Sequence, residues 1–234
     1  MASTNTTINS SFKIYWYPLS PYSNPLYYFC NKNNLPHEVV VIELPKMQQK
    51  TPEYLKINPF GLIPAIMEED GSTLSESSTI LRYLCDTRDV PDHWYPKDIK
   101  KRAQVNLFFD WFQPATATML SFIFSGTIYT AKFSYVGDAL VNLEAKLKDI
   151  EEIFLNNRDY LAGDEISIAD IQIMFFFCDL DIVGYSLDKF PKIKEWKSRV
   201  LATDFKPNYD RFYELGSKFF ETIKKKTTDD EKKN

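Results

Sequence analysis

Near its start the chain sets a strand, a helix and a second strand in immediate succession, and that order restricts the fold more than any other feature. Phe12 to Tyr17 reads Phe-Lys-Ile-Tyr-Trp-Tyr, a short aromatic run stopped by Pro18. Pro25 to Asn34 suits a helix whose apolar face holds Leu26, Phe29 and Cys30. His37 to Leu44 (His-Glu-Val-Val-Val-Ile-Glu-Leu) follows as a second strand, with the continuous apolar centre expected of a strand buried on both faces. Two strands joined through a helix require a crossover, and so a parallel pair. Thr51 to Ile57 makes a short helical turn. Ile63–Met67 and Thr73–Leu74 are short strands, joined by Glu69-Asp70-Gly71-Ser72, which has hairpin-turn chemistry. Ser75 to Cys85 closes the series as a helix with Ile80, Leu81 and Leu84 at helical spacing. The order β-α-β-α-β-β-α thus combines a parallel pair with an antiparallel hairpin.

Beyond this point no segment reads as a strand. Asp86 to Pro96, with two prolines, has the composition of a linker. Helices are predicted over 97–125, with Val105, Phe108, Phe109 and Phe112 along one side. A second covers 134–157, with Leu140, Leu143, Leu147, Ile150, Ile153 and Phe154 as its stripe. A third runs from Ile166 to about Leu180, where Ser167 can cap, Asp170 sits three residues on, and Ile166 faces Ile171 across the first turn. Residues 190–203 and 208–224 supply two more. The chain of 234 residues therefore divides into a flexible arm (1–11), a small α/β domain (12–86), a linker (87–96), an all-helical domain (97–226) and a charged tail (227–234).

Composition excludes several classes. Seven glycines against 13 prolines leave no glycine-rich phosphate loop. A net charge of −4 argues against a nucleic-acid partner, which needs a basic surface. Cys30, Cys85 and Cys178 are odd in number and widely spaced, a pattern of buried reduced thiols rather than of a disulfide or zinc framework. His37 and His93 have no Cys or His at ligand spacing, so no metal is expected. No apolar run approaches the roughly 18 residues of a membrane span. Met1 to Ser11 lacks a basic and an apolar region, so its two Asn-x-Ser/Thr matches are read as chance and a cytoplasmic address is expected. Neither a Ser-His-Asp order, a metal-ligand helix nor a paired-carboxylate motif appears.

Four places have the residue types for chemistry. The loop Pro18-Leu19-Ser20-Pro21-Tyr22-Ser23-Asn24 puts hydroxyls between the first strand and a helix start, where N–H groups gather; the same residues also make an ordinary N-cap. Asn58-Pro59-Phe60-Gly61-Leu62-Ile63-Pro64-Ala65 places Pro64 where ladder pairing would begin. That suggests a cis bond freeing the N–H and C=O of Ile63 for an extended ligand, or simply a tight turn. Leu74-Ser75-Glu76-Ser77-Ser78 offers a carboxylate, hydroxyls and N–H groups at a helix start, fit for an α-amino-α-carboxylate ligand or for capping alone. Phe108, Phe109, Trp111 and Phe112, with Phe122 and Phe124, are core or the wall of an apolar substrate site.

Taken in order, Asn58 to Ala65, Leu74-Ser75-Glu76-Ser77 leading to Ile80-Leu81-Arg82-Tyr83-Leu84, and Tyr160-Leu161-Ala162-Gly163-Asp164 followed by Ser167-Ile168-Ala169-Asp170 resemble the cytosolic glutathione S-transferases. The stretch His93-Trp94-Tyr95-Pro96-Lys97-Asp98 through Arg102-Ala103-Gln104-Val105 to Trp111 looks like the theta class. The resemblance implies a thioredoxin-like N-terminal domain that binds glutathione, a helical domain that forms much of the pocket for a hydrophobic electrophile, and a homodimer. It implies that Ser20 hydrogen-bonds the glutathione sulfur, with Ser23 and Tyr22 as outside candidates. Pro64 matches the family's cis-proline, with Ile63 pairing the cysteinyl backbone. Glu76 and Ser77 match the pair that holds the γ-glutamyl end, and Gln49, with Lys50 beside it, lies nearest the glycyl carboxylate. Glutathione is then a co-substrate, with no bound cofactor.

Three positions depart from the theta pattern. Asn24 stands where an Arg is usual, Leu62 where a basic residue is frequent, and no arginine lies near Ala117 in the fourth helix. These departures would suit a rival reading, a non-catalytic glutathione-transferase-like module that docks partners. A thiol reductase would need a cysteine in the loop after the first strand, and none is there.

Overall fold

The strand β1 (Phe12–Trp16) pairs in parallel with β2 (His37–Val41), from Phe12 opposite His37 to Trp16 opposite Val41, as the crossover through α1 (Asn24–Lys32) demands. On its other side β1 meets β3 (Ala65–Met67) antiparallel, with Tyr15 opposite Ala65. Next to β3, β4 (Thr73–Ser75) runs antiparallel with Ser75 opposite Ala65. The sheet order is β2-β1-β3-β4. The expected hairpin turn is present: the Glu68 N–H donates to the Ser72 carbonyl at 2.9 Å, and Gly71 adopts φ +83°, a conformation glycine takes without a Cβ penalty. The structure, a computed structural model, describes residues 10–125 and 136–231, which divide into two compact units on either side of the Arg102–Ala103 bond.

In the first unit the β1 side chains alternate between two layers. Tyr15 packs with Ile42, Ala65 and Tyr54, the last from α2 (Pro52–Leu55), their rings edge-on at 5.7 Å. Ile14 is buried on the other face, where α1 and α3 (Ser77–Thr87) bring Leu26, Phe29, Ile80, Leu81 and Leu84. Just past α3, Arg88 forms a two-pronged, buried ion pair with Glu68 (2.7 and 2.8 Å) and lies 5.2 Å over the Phe12 ring. The predicted linker is tied to the same unit through Trp94, which is buried, donates to Asn33 Oδ1 at 3.0 Å and meets Phe29 edge-on.

The expectation for β2 is corrected. It is not buried on both faces: it is an edge strand, its residues are only partly covered, and Val41 is 47% exposed. An apolar run reports a preference for extended backbone, not how many neighbours the strand has. Lys13 and Glu38, directly opposite in register, pair across its open face at 3.5 Å.

The second unit is helical: α4 (Ile99–Ser125) enters it and is followed by α5 (Val136–Asp149), α6 (Ile168–Ile182), α7 (Pro191–Leu201) and α8 (Lys206–Glu231). The side of α4 carrying Val105, Phe108, Phe109 and Phe112 is core, with Phe112 edge-on to Phe176 at 5.4 Å, so these rings are packing residues. Phe122 meets Tyr185 at 5.6 Å, and Phe124 lies outside the described side chains. The predicted start of the next helix at 134 falls outside the described residues, as do residues 1–9 of the arm. The stripe of α5 is buried at Leu143, Leu147, Ile150 and Phe154, but Ile153 is 58% exposed. The helix finishes in a π turn over Ile150–Phe154, closed by the Leu155 N–H on the Ile150 carbonyl, and that i→i+5 winding rotates Ile153 off the stripe while Leu155 turns in. The last helix runs to Glu231, past the predicted limit at 224, with Lys218 and Glu214 paired four residues apart on its surface.

Candidate active site

Sheet register gathers the candidate loops at one end of the sheet. Because β1 and β2 are parallel while β3 runs against β1 and β4 against β3, the C-terminal ends of β1, β2 and β4 lie level with the N-terminal end of β3. Four segments leave from there: the Ser20 loop after β1, the Gln49–Lys50 segment after β2, the Ile63–Pro64 corner before β3, and Glu76–Ser77 after β4.

Within the first loop Ser20 is buried apart from a small exposed fraction (6%). Its Oγ accepts the Ser23 N–H at 3.2 Å, and among the described residues its hydroxyl proton has no acceptor. The Ser20 backbone is held from both sides, its N–H on the Tyr17 carbonyl at 3.1 Å and its C=O accepting the N–H groups of Ser23 and Asn24 at 3.2 and 3.1 Å. Ser23, fully buried, differs: its Oγ donates to the Tyr17 carbonyl at 3.1 Å and accepts the Tyr17 N–H. Burial and the nearby Glu43 carboxylate push the Tyr17 phenol above its ordinary value, which makes it a weaker proton donor than an unperturbed tyrosine.

The Ile63–Pro64 peptide is cis. Two side chains fix the preceding carbonyl: Tyr54 Oη and Asn58 Nδ2 both donate to the Leu62 C=O at 2.7 Å. Asn58, also buried, accepts the Phe60 N–H on its side chain and the Gly61 N–H on its carbonyl. The corner therefore satisfies the Leu62 carbonyl internally, while the N–H and C=O of Ile63 make no hydrogen bond among the described residues. Sequence reasoning missed Tyr54 and Asn58; the Asn-Pro start of the motif was the available signal, since an asparagine side chain bonds backbone two residues on.

Lys50 reaches over this corner, its Nζ 3.4 Å from the Phe60 carbonyl. Gly61 permits that approach. Its φ is +60°, and a Cβ there would stand 2.9 Å from Lys50 Nζ and 3.0 Å from the Gln49 carbonyl. Among the described residues the Gln49 amide has a single thioether contact through Nε2, 3.7 Å from Met47 Sδ, and its buried Oε1 has no partner.

Glu76 holds the fourth loop. Its φ and ψ of +69° and 112° are strained for a residue with a Cβ, a conformation that costs about 1–3 kcal/mol and persists where surroundings impose it. The Glu76 carbonyl receives the Ile80 N–H at 2.9 Å and opens α3, while its carboxylate is exposed and makes no bond or ion pair among the described residues. Ser77 is buried beside it at the first helical position. Here, then, a carboxylate unpaired among the described residues stands at the positive end of an 11-residue helix in a backbone conformation that capping alone does not require.

None of the cysteines lies in these loops. Cys30 and Cys178 are buried and Cys85 half-buried, and burial pushes all three thiols up, away from reactivity.

Comparison with known proteins decides the family. The profile of the Glutathione S-transferase, N-terminal domain, matches residues 19–87, and that of the Glutathione S-transferase, C-terminal domain, matches residues 113–204. The chain belongs to the glutathione S-transferase family. It is 31% identical to human glutathione S-transferase theta-2 over 190 residues, covering 77% of this chain and 76% of the relative. It is 30% identical to mouse glutathione S-transferase theta-1 over 210 residues, covering 84% and 85%. Among solved structures, human glutathione transferase theta-2 in complex with glutathione superposes with a TM-score of 0.84 at 27% identity, covering 92% of this chain and 91% of that one. A human theta-class enzyme holding the glutathione conjugate of 1-menaphthyl sulfate gives 0.85 at 27%, covering 93% and 91%. The theta-like assignment and the α/β-plus-helical fold of this transferase agree with the reading of its sequence.

Proposed function

We propose that this glutathione transferase binds glutathione across the four loops, lowers the pKa of its thiol through Ser20, and joins the sulfur to a soft hydrophobic electrophile. The observation that carries the reading is the Ser20 hydroxyl: its oxygen already accepts one N–H, and its proton has no acceptor among the described residues. A donor on Oγ polarises the O–H bond, so the hydroxyl donates more strongly. A free thiol of this type has a pKa of roughly 8.5. The hydroxyl bond favours the thiolate over the thiol, so the thiol gives its proton to solvent near neutral pH. The sulfur lone pair then forms the carbon–sulfur bond as the leaving group departs with its electrons. Ile63 supplies an N–H and a C=O for the cysteinyl backbone, Glu76 and Ser77 hold the γ-glutamyl ammonium and carboxylate, and Gln49 and Lys50 face the glycyl carboxylate. Pro64 keeps the Ile63 groups turned away from the ladder. The protein acts in the cytosol and as a homodimer.

The test is a pH–rate profile with an alkyl or aryl halide. Ser20→Ala should raise the bound thiol's pKa by about 1–2 and lower the rate at neutral pH roughly 10- to 100-fold, with activity returning at high pH where the thiol ionises unaided. A wild-type profile in Ser20→Ala would remove Ser20 from the mechanism, and a wild type without turnover would return the non-catalytic docking module.

A further inference from the structure

Asn24 is the residue of the first loop that departs from the theta pattern, and the fold gives it a specific task. Its side chain is almost wholly buried at the first position of α1. Nδ2 donates to the Pro18 carbonyl at 2.9 Å and to the Ser20 carbonyl at 2.8 Å, so both of its protons are spent on backbone oxygens that flank the Leu19–Ser20 peptide. One amide thereby clamps the two ends of the turn that aims the Ser20 Cα–Cβ bond. The remaining restraint on that side chain, the Ser23 N–H on Ser20 Oγ, comes from the residue just before Asn24. With backbone and rotamer both fixed, the one unassigned freedom of Ser20 is the rotation of its hydroxyl proton.

We propose that Asn24 is a positioning residue for thiol activation: it touches neither glutathione nor the electrophile, and it holds Ser20 so that the hydroxyl is presented to the sulfur. This rests on the serine reading above. A charge-assisted hydrogen bond weakens steeply as donor and acceptor move out of line. Loosening the clamp therefore degrades the bond to the thiolate without touching the groups that bind the rest of glutathione. The Ser20 carbonyl keeps its two backbone donors when the amide is removed, so the loop retains its turn.

The experiment is an ultraviolet titration of the thiolate of bound glutathione against pH, read in wild type, Asn24→Ala, Ser20→Ala and the double variant, with glutathione affinity measured by calorimetry. Asn24→Ala should raise the midpoint by about 0.5–1 and leave affinity within about twofold. In the Ser20→Ala background the same change should move the midpoint no further, because Asn24 acts through that hydroxyl. An equal displacement in both backgrounds would overturn the proposal, as would an unmoved midpoint in Asn24→Ala. If Ser20→Ala itself leaves the midpoint where it was, the serine reading fails first, and the positioning role goes with it. Should Asn24→Ala not fold, Asn24→Asp keeps the shape while turning a donor into an acceptor against two carbonyls. It must raise the midpoint in the same way, and an unmoved midpoint there counts against the proposal.

Discussion

At the scale of single residues, the site combines groups that have been left unsatisfied with others that are fully engaged. The Ser20 hydroxyl proton and the Glu76 carboxylate have no partner among the described residues, while Ser23 and Asn24, beside Ser20, are committed to the backbone. Glu76 supports the sharper prediction. Its strained φ of +69° returns no side-chain cap, so the strain is repaid by a ligand or by nothing. Glu76→Ala should weaken glutathione binding by about 1.5–3 kcal/mol, the range for a hydrogen bond to a charged group, and calorimetry reads it directly. Unchanged affinity would reduce Glu76 to a helix-start residue. The quoted motifs made Ser20, Ile63, Pro64, Glu76 and Ser77 legible as candidates, because each sits where a strand meets a turn. The bonding of Asn24 was not legible: an asparagine before a proline reads as a turn residue, and the reach of its amide to both Pro18 and Ser20 is set by the folded loop.

At the scale of elements, the clearest local signal in the sequence marks a fully buried, multiply bonded carboxylate of the helical unit. The Asp170 carboxylate is fully buried at the start of α6 and accepts four donors: the Leu161 N–H (2.9 Å), the Ser167 N–H (2.8 Å), the Ser167 hydroxyl (3.0 Å) and the Trp196 indole N–H (2.8 Å). One side chain thus closes the capping box and ties the loop before α6 to α7. Truncation in Asp170→Ala would strand all of these donors without water, and thermal or denaturant unfolding should show a loss of about 3–5 kcal/mol. A loss below about 1 kcal/mol would mean the cap is peripheral. The capping half of this arrangement was readable because it depends on residues three apart. The indole contact was not, because Trp196 lies 26 residues on. The same limit explains the edge position of β2 and the π turn at Ile150–Phe154: both are set by neighbours and winding that a local pattern does not encode.

At the scale of the whole molecule, the homodimer proposed above is open to a direct measurement of mass. Light scattering should give a mass near twice 27.4 kDa, and a clean monomer at micromolar concentration would refute the pairing. The burial of Cys30, Cys85 and Cys178 has a consequence for endurance. A catalyst that handles electrophiles is exposed to alkylation by its own substrates, and the rate of that damage follows the thiolate fraction of each sulfur. With all three protein thiols pushed up by burial, a bound glutathione thiol lowered as proposed above would be the nucleophilic sulfur in the working complex, the one that leaves with the product. Selectivity between self and ligand would then be written into proton affinities.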